Sequence, residues 1–167
     1  IKRPKIILNE VENLKKLGFD KIILSGYSAG GWSSLVLQSR HPEKIIGTIA
    51  FNPAFAGPKK EWQKKYPEWG AFRDDSINKL NKADKINAIV FAHKDDIFED
   101  PKTLSFFENF KDLKLIDYSE IKPTNCTWAD VNEKMTPDKG HNIPQSKCFT
   151  KYLEDKNYLT TFLKNIL

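Results

Sequence analysis

The stretch "SGYSAGG" at residues 25–31 sets Ser28 between Gly26 and Gly30, directly after the apolar run "KIIL". A serine hydroxyl is a weak nucleophile until a base takes its proton. The spacing G-x-S-x-G at a strand-to-helix junction is the pattern that presents such a hydroxyl to a carbonyl carbon. Its turn is so tight that side chains flanking the serine would collide with the strand and helix it joins. The first turn of the following helix then lies beneath the hydroxyl, where unpaired N–H groups favour negative charge. The backbone N–H of Ala29 is the candidate donor to an oxyanion.

The nucleophile needs a base, and the chain has three histidines. His41 precedes Pro42 at the end of the helix that follows Ser28 and reads as surface punctuation. His93 closes an apolar strand and reads as structural or pocket-lining. His141, in "DKGHNIP", follows the last apolar strand in a loop able to return over the top of a sheet, and it is the candidate base. A base of this kind needs an orienting carboxylate. The segment "IVFAHKDDIFED" supplies Asp95 and Asp96 just past a strand, where open α/β sheets place their sites. Asp95 is the expected partner of His141. Asp96 is the alternative, with a solvated or capping role for whichever of the two is left over. This chemistry calls for no metal and no organic cofactor.

These residues must be carried by alternating strands and helices. "RPKIILNEVENLKKLGF" reads as a helix from the spacing of Ile7, Val11, Leu14 and Leu17, with Gly18 as its stop. "KIILSG", "KIIGTIAFN", "INAIVFAH" and "LKLIDYSE" read as four buried strands, and helices are expected at 29–40 and at about 72–83, 100–110 and 149–165. The strands are continuously apolar, as in a mainly parallel sheet covered on both faces. The expected fold is therefore an α/β three-layer sandwich in one domain. The stretch at about 54–84 carries "FAGPKKEWQKKYPEWGAF", rich in Pro, Gly and aromatics; it is a candidate lid or pocket insertion, with an irregular crossover as the plain alternative. Tyr27, Trp32, Trp62, Trp69 and Phe72 are candidates to line a pocket for an apolar substrate, against ordinary core packing.

The 167 residues carry a net charge of +5, but the lysines are interleaved with acids, as in "NKLNKADK". That pattern is a solvated surface rather than a nucleic-acid face. No apolar run reaches the roughly 18–20 residues that cross a bilayer. The expected partner is a small acyl substrate.

Taken in order, Ser28, Asp95 and His141 match the nucleophile–acid–base order of the α/β-hydrolase superfamily. "RHPEKIIGTIAFNPAF" resembles that family's passage from the nucleophile helix into the next strand. "FAHKDDIFEDP" resembles its acid loop, with Ala92 where a glycine often stands, and "KGHN" resembles its histidine loop. The resemblance runs from about residue 4 to the end. Dienelactone-hydrolase-like proteins and small carboxylesterases are the nearest types. It implies a serine hydrolase cleaving a carboxylic ester or related acyl bond. The alternatives are a non-catalytic binding protein of the same fold, or a thioesterase, peptidase or acyltransferase with the same three residues. The family has about four strands before the nucleophile, where this chain has room for one. An N-terminal segment or a second chain is thus expected to cover the strand edge at 21–25. Cys126 and Cys148 bracket His141; paired, they would tether its loop and favour a periplasmic or secreted setting over a cytoplasmic one.

Overall fold

Four short apolar runs become four parallel strands: β1 (Ile23–Tyr27), β2 (Gly47–Phe51), β3 (Ala88–Ala92) and β4 (Leu113–Asp117). The computed structural model describes residues 3–137 and 139–167, apart from the side chains of Trp62 and Gln63. The sheet order is β1-β2-β3-β4, so each strand pairs with its sequence neighbour. Parallel neighbours require a crossover. α2 (Ala29–Arg40) makes the first, and α3 (Lys59–Lys64) with α4 (Pro67–Leu80) the second. The third crossover is not the helix expected at 100–110. Asp100 and Thr103 bond each other through side chain and backbone in a capped turn, and only a 3₁₀ helix, Ser105–Asn109, follows. Local side-chain-to-backbone bonds of this kind compete with helix formation.

The central strand shows why the sheet is covered twice. Ala88, Val90 and Ala92 of β3 face a cluster with Trp32, Leu35, Leu80, Leu104 and Phe107. Ile89 and Phe91, pointing the other way, pack with Ile116, Tyr118, Phe149 and Tyr152. The first face is layered by α2 and α4. α1 (Arg3–Lys16) extends it through Val11, which packs with Leu37 of α2 and with Ile45. The second face is layered by α5 (Lys147–Lys156) and α6 (Tyr158–Ile166). The single helix expected at 149–165 is thus two. Asn157 adopts a left-handed φ of 53° between them, a conformation asparagine tolerates better than most residues. Among the described residues, the outer edge of β1 has no strand paired to it.

The sulfurs of Cys126 and Cys148 are joined, with Cα atoms 5.6 Å apart and a separation of 22 residues. A cross-link over a loop of that size is worth about 3 kcal/mol. Reduction should lower Tm by about 6–12 °C, given roughly 2–4 °C per kcal/mol for a chain of this length. Thermal unfolding followed with and without dithiothreitol checks this, and a shift below about 2 °C would show that the tether does not stabilise the fold.

Candidate active site

The strands end in register, and the residue after each end carries the site. The Ser28 N–H donates to Phe51 O (3.0 Å), the Asn52 N–H to Phe91 O (2.9 Å) and the Tyr118 N–H to Ala92 O (3.1 Å), so each extends the ladder by one bond. Ser28 leaves that ladder with φ 54° and ψ −127°, a region sparsely populated by residues other than glycine. Its carbonyl is held from two sides, by the N–H of Trp32 (3.1 Å) and the N–H of Ala54 (3.2 Å). The hydroxyl is left at the carboxyl rim of the sheet. Ala29 opens α2 beside it and is exposed; as a first-turn residue its N–H lies outside the helix's own hydrogen-bond ladder.

The two glycines of the motif do not share the work equally. A Cβ on Gly26 would lie 2.5–2.6 Å from the backbone of Gly30 and Gly31, whereas a Cβ on Gly30 would meet nothing. The second tight position is Gly31, whose Cβ would stand 2.9 Å from Gly26 O. The expectation that Gly30 must be bare is corrected: the close approach falls one residue later.

His141 sits on the 3₁₀ helix Gly140–Gln145 and is 8 % exposed. Ser28 Oγ and His141 Nε2 are 3.0 Å apart, and His141 Nδ1 and Asp96 Oδ2 are 2.7 Å apart. The carboxylate only accepts, so Nδ1 carries the hydrogen and Nε2 is free to accept from the Ser28 hydroxyl. The second oxygen of Asp96 accepts from the Phe98 N–H (2.8 Å), and the residue is buried at 2 % exposure. Phe98 and Tyr27 flank the imidazole with ring centroids 4.4 and 5.0 Å away. The Tyr27 hydroxyl donates to Asn142 Oδ1 (2.6 Å), and burial pushes its pKa up to about 12.

Asp95, the expected partner of His141, lies elsewhere. Its side chain is 48 % exposed and its Oδ2 is 3.9 Å from His93 Nδ1. The turn after β3 decides this. His93, fully buried, accepts the Asp95 N–H on Nδ1 (3.1 Å) and so must donate from Nε2 to Ile121 O (2.8 Å), while its carbonyl accepts the Asp96 N–H (3.0 Å). That clamp turns Asp95 outward and Asp96 inward. Gly140 closes on the same turn: a Cβ there would lie 2.4 Å from the Asp95 carbonyl. Its neighbour His141 is therefore seated directly on the acid loop. His41 stands apart, 3.7 Å from Glu43.

The candidate pocket aromatics divide. Trp32 is 3 % exposed and donates from Nε1 to Ser76 Oγ of α4 (2.9 Å). Trp69 stacks on Tyr66 (4.3 Å) and lies against Gly57. Phe72 is 60 % exposed. The side chain of Trp62 is outside the described residues. A groove of about 720 Å³ starts at Ala29 and is lined by Trp32, Ala54, Phe55 and Phe72 among others. Its α4 wall is anchored: Arg73 meets Glu99 through two N–H donors, one at 2.7 Å, and donates to Thr103 O (2.9 Å). Burial pushes the Glu99 carboxyl up, opposed by the guanidinium. Sequence reasoning missed both this pair and Asn52, which contacts the His141 loop; nothing in the one-dimensional pattern marks them.

A parallel sheet with helices on both faces, a serine on a strained strand-to-helix turn and a histidine loop closing over it make this the α/β-hydrolase fold. No family model matches the chain and no curated protein matches it in sequence. Solved structures match it in fold. An esterase of Pyrococcus furiosus superposes with a TM-score of 0.63 at 15 % identity, over 99 % of this chain and 62 % of its own. A metagenome-derived lipolytic enzyme from work on LipS and LipT gives 0.61 at 13 %, over 96 % and 72 %. A monoacylglycerol lipase of Paleococcus ferrophilus gives 0.50 at 18 %, over 70 % and 64 %. The chain spans about three fifths of the length of the Pyrococcus and Paleococcus proteins.

Backbone contact at Gly26 and Gly140, and open space at Gly30, predict a clear ordering. Gly26→Ala and Gly140→Ala should each lower stability by about 2 kcal/mol or more, as overpacking against backbone does. Gly30→Ala should be neutral or slightly stabilising, since alanine is the better helix former by about 1 kcal/mol. Urea unfolding of the three variants checks it; equal losses at Gly26 and Gly30 would contradict the geometry.

Proposed function

We propose that the protein is a serine hydrolase that cleaves a carboxylic ester or closely related acyl bond. One observation carries the reading: the continuous hydrogen-bonded path from the Ser28 hydroxyl through His141 to the buried Asp96. In this mechanism Ser28 Oγ attacks the carbonyl carbon while Nε2 of His141 takes its proton. The imidazolium, steadied by Asp96, then protonates the leaving group. The Ala29 N–H, at the positive end of α2, donates to the oxyanion. Water, deprotonated by His141, attacks the acyl carbon; the bond to Ser28 Oγ breaks, the imidazolium returns the proton to Oγ, and the acid is released. Asp96 takes the role first expected of Asp95.

The esterase and lipase names of the structural neighbours favour an ester over an amide or thioester. The apolar groove beside Ala29 suits the hydrocarbon part of the substrate, with the 54–84 segment as its wall. The outer edge of β1 has no strand paired to it among the described residues, and we propose that an N-terminal segment or a second chain covers it.

Hydrolysis of p-nitrophenyl butyrate and labelling by a fluorophosphonate test this. Ser28→Ala should abolish both. Asp96→Asn should lower kcat by about 10⁴-fold, the scale set by losing the tautomer-fixing carboxylate. Asp95→Asn should stay within about twofold, as surface substitutions do. A protein that turns over no ester and takes no label at Ser28 would instead be a binding protein of this fold.

A further inference from the structure

We propose that Asn52, oriented by Tyr118, is a positioning residue that sets how far His141 stands from Ser28, acting on the main chain of the histidine loop rather than on the imidazole. The inference rests on the hydrolase reading for its kinetic test. Asp96 fixes the rotation of the imidazole through Nδ1. It does not fix the distance of the ring from the serine, which depends on where the loop backbone sits. Two contacts made by the main chain of residues 140 and 141 bear on it directly. On one side Gly140 rests on the main chain of Asp95. On the other, the side-chain amide of Asn52 donates to His141 O (2.8 Å) and Gly140 O (3.2 Å).

The amide has one workable orientation. Both loop carbonyls only accept, so the NH₂ group must face them. The oxygen of Asn52 then faces Tyr118, whose hydroxyl donates to it (2.7 Å). Tyr118 is fully buried, and burial pushes its pKa well above the usual tyrosine value, so it remains a donor. A flipped amide would set oxygen against two carbonyls and strand the tyrosine hydroxyl. Asn52 itself is fully buried and holds φ 41°, a left-handed conformation that costs a non-glycine residue energy and persists only where its surroundings enforce it. The residue following β2 is thereby bonded through its N–H to β3 (Phe91 O) and through its side chain to Tyr118, after β4, and to the base loop.

Three variants separate the amide from the backbone. Asn52→Gly keeps the left-handed φ at no steric cost and removes the amide. Asn52→Ala loses both. Tyr118→Phe removes only the hydroxyl that orients the amide. In the intact protein, Asn52→Gly should lower kcat on p-nitrophenyl butyrate by about 10- to 100-fold, the scale of an ångström-sized misplacement of a catalytic group, with KM nearly unchanged. Tyr118→Phe should fall between it and wild type. A merely structural role would move the urea midpoint and leave kcat per folded molecule intact, and that result overturns the proposal. The low-field proton resonance of His141 Nδ1–H gives a readout independent of turnover. It should shift or broaden in Asn52→Gly; an unchanged resonance also overturns the proposal. Should wild-type protein hydrolyse no ester, the hydrolase reading falls while this resonance still decides the latch.

Discussion

The 2.7 Å contact between His141 Nδ1 and Asp96 Oδ2 is the constraint on which the rest turns. It joins two loops 45 residues apart and demands that both lie at the same height over the same end of the sheet. A buried carboxylate needs its oxygens satisfied, and here one is met by the imidazole and the other by the Phe98 N–H. Every neighbouring feature holds one of the two loops in place. His93 bonds the acid turn internally and to Ile121. Gly140 permits backbone contact between the loops. The disulfide Cys126–Cys148 bounds the excursion of the segment that carries the histidine.

The serine side is built by a different physics. Ser28 is held in a strained backbone conformation by bonds to Phe51, Ala54 and Trp32, and the absence of a Cβ at Gly26 and Gly31 allows strand and helix to touch. Strain of about 1–3 kcal/mol at such a residue is tolerated because the sheet behind it is packed on both faces. The rigid half therefore presents the hydroxyl, and the loop half is brought to it.

How much of this was readable in the residues follows from the range of the forces. Gly26, Ser28 and the strand before them are a local pattern, and the continuously apolar β3 announced burial on both faces. His141 was legible from its order after the strands. The choice between Asp95 and Asp96 was not, because adjacent residues with the same chemistry differ only in which way the turn points them, and His93 settles that through hydrogen bonds absent from any spacing rule. Gly30 belongs to the motif by spacing, yet the space is needed at Gly31. The helix expected at 100–110 yields to the Asp100–Thr103 bonds, and the helix at 149–165 breaks at Asn157 without a glycine or proline to mark it. Asn52, before a proline at a strand end, looks like ordinary turn punctuation; its reach to a loop 89 residues away is a tertiary fact.

The order β1-β2-β3-β4 has a corollary for loop closure. Each strand lies beside the one that precedes it in the chain, and the loop-closure cost of each crossover rises only slowly with its length. The contact between Ser28 and His141 spans 113 positions and belongs to no such crossover. It requires both the strand rim and the histidine loop to be in place. The pairing of Ser28 with His141 therefore depends on the whole rim being assembled and on no single crossover.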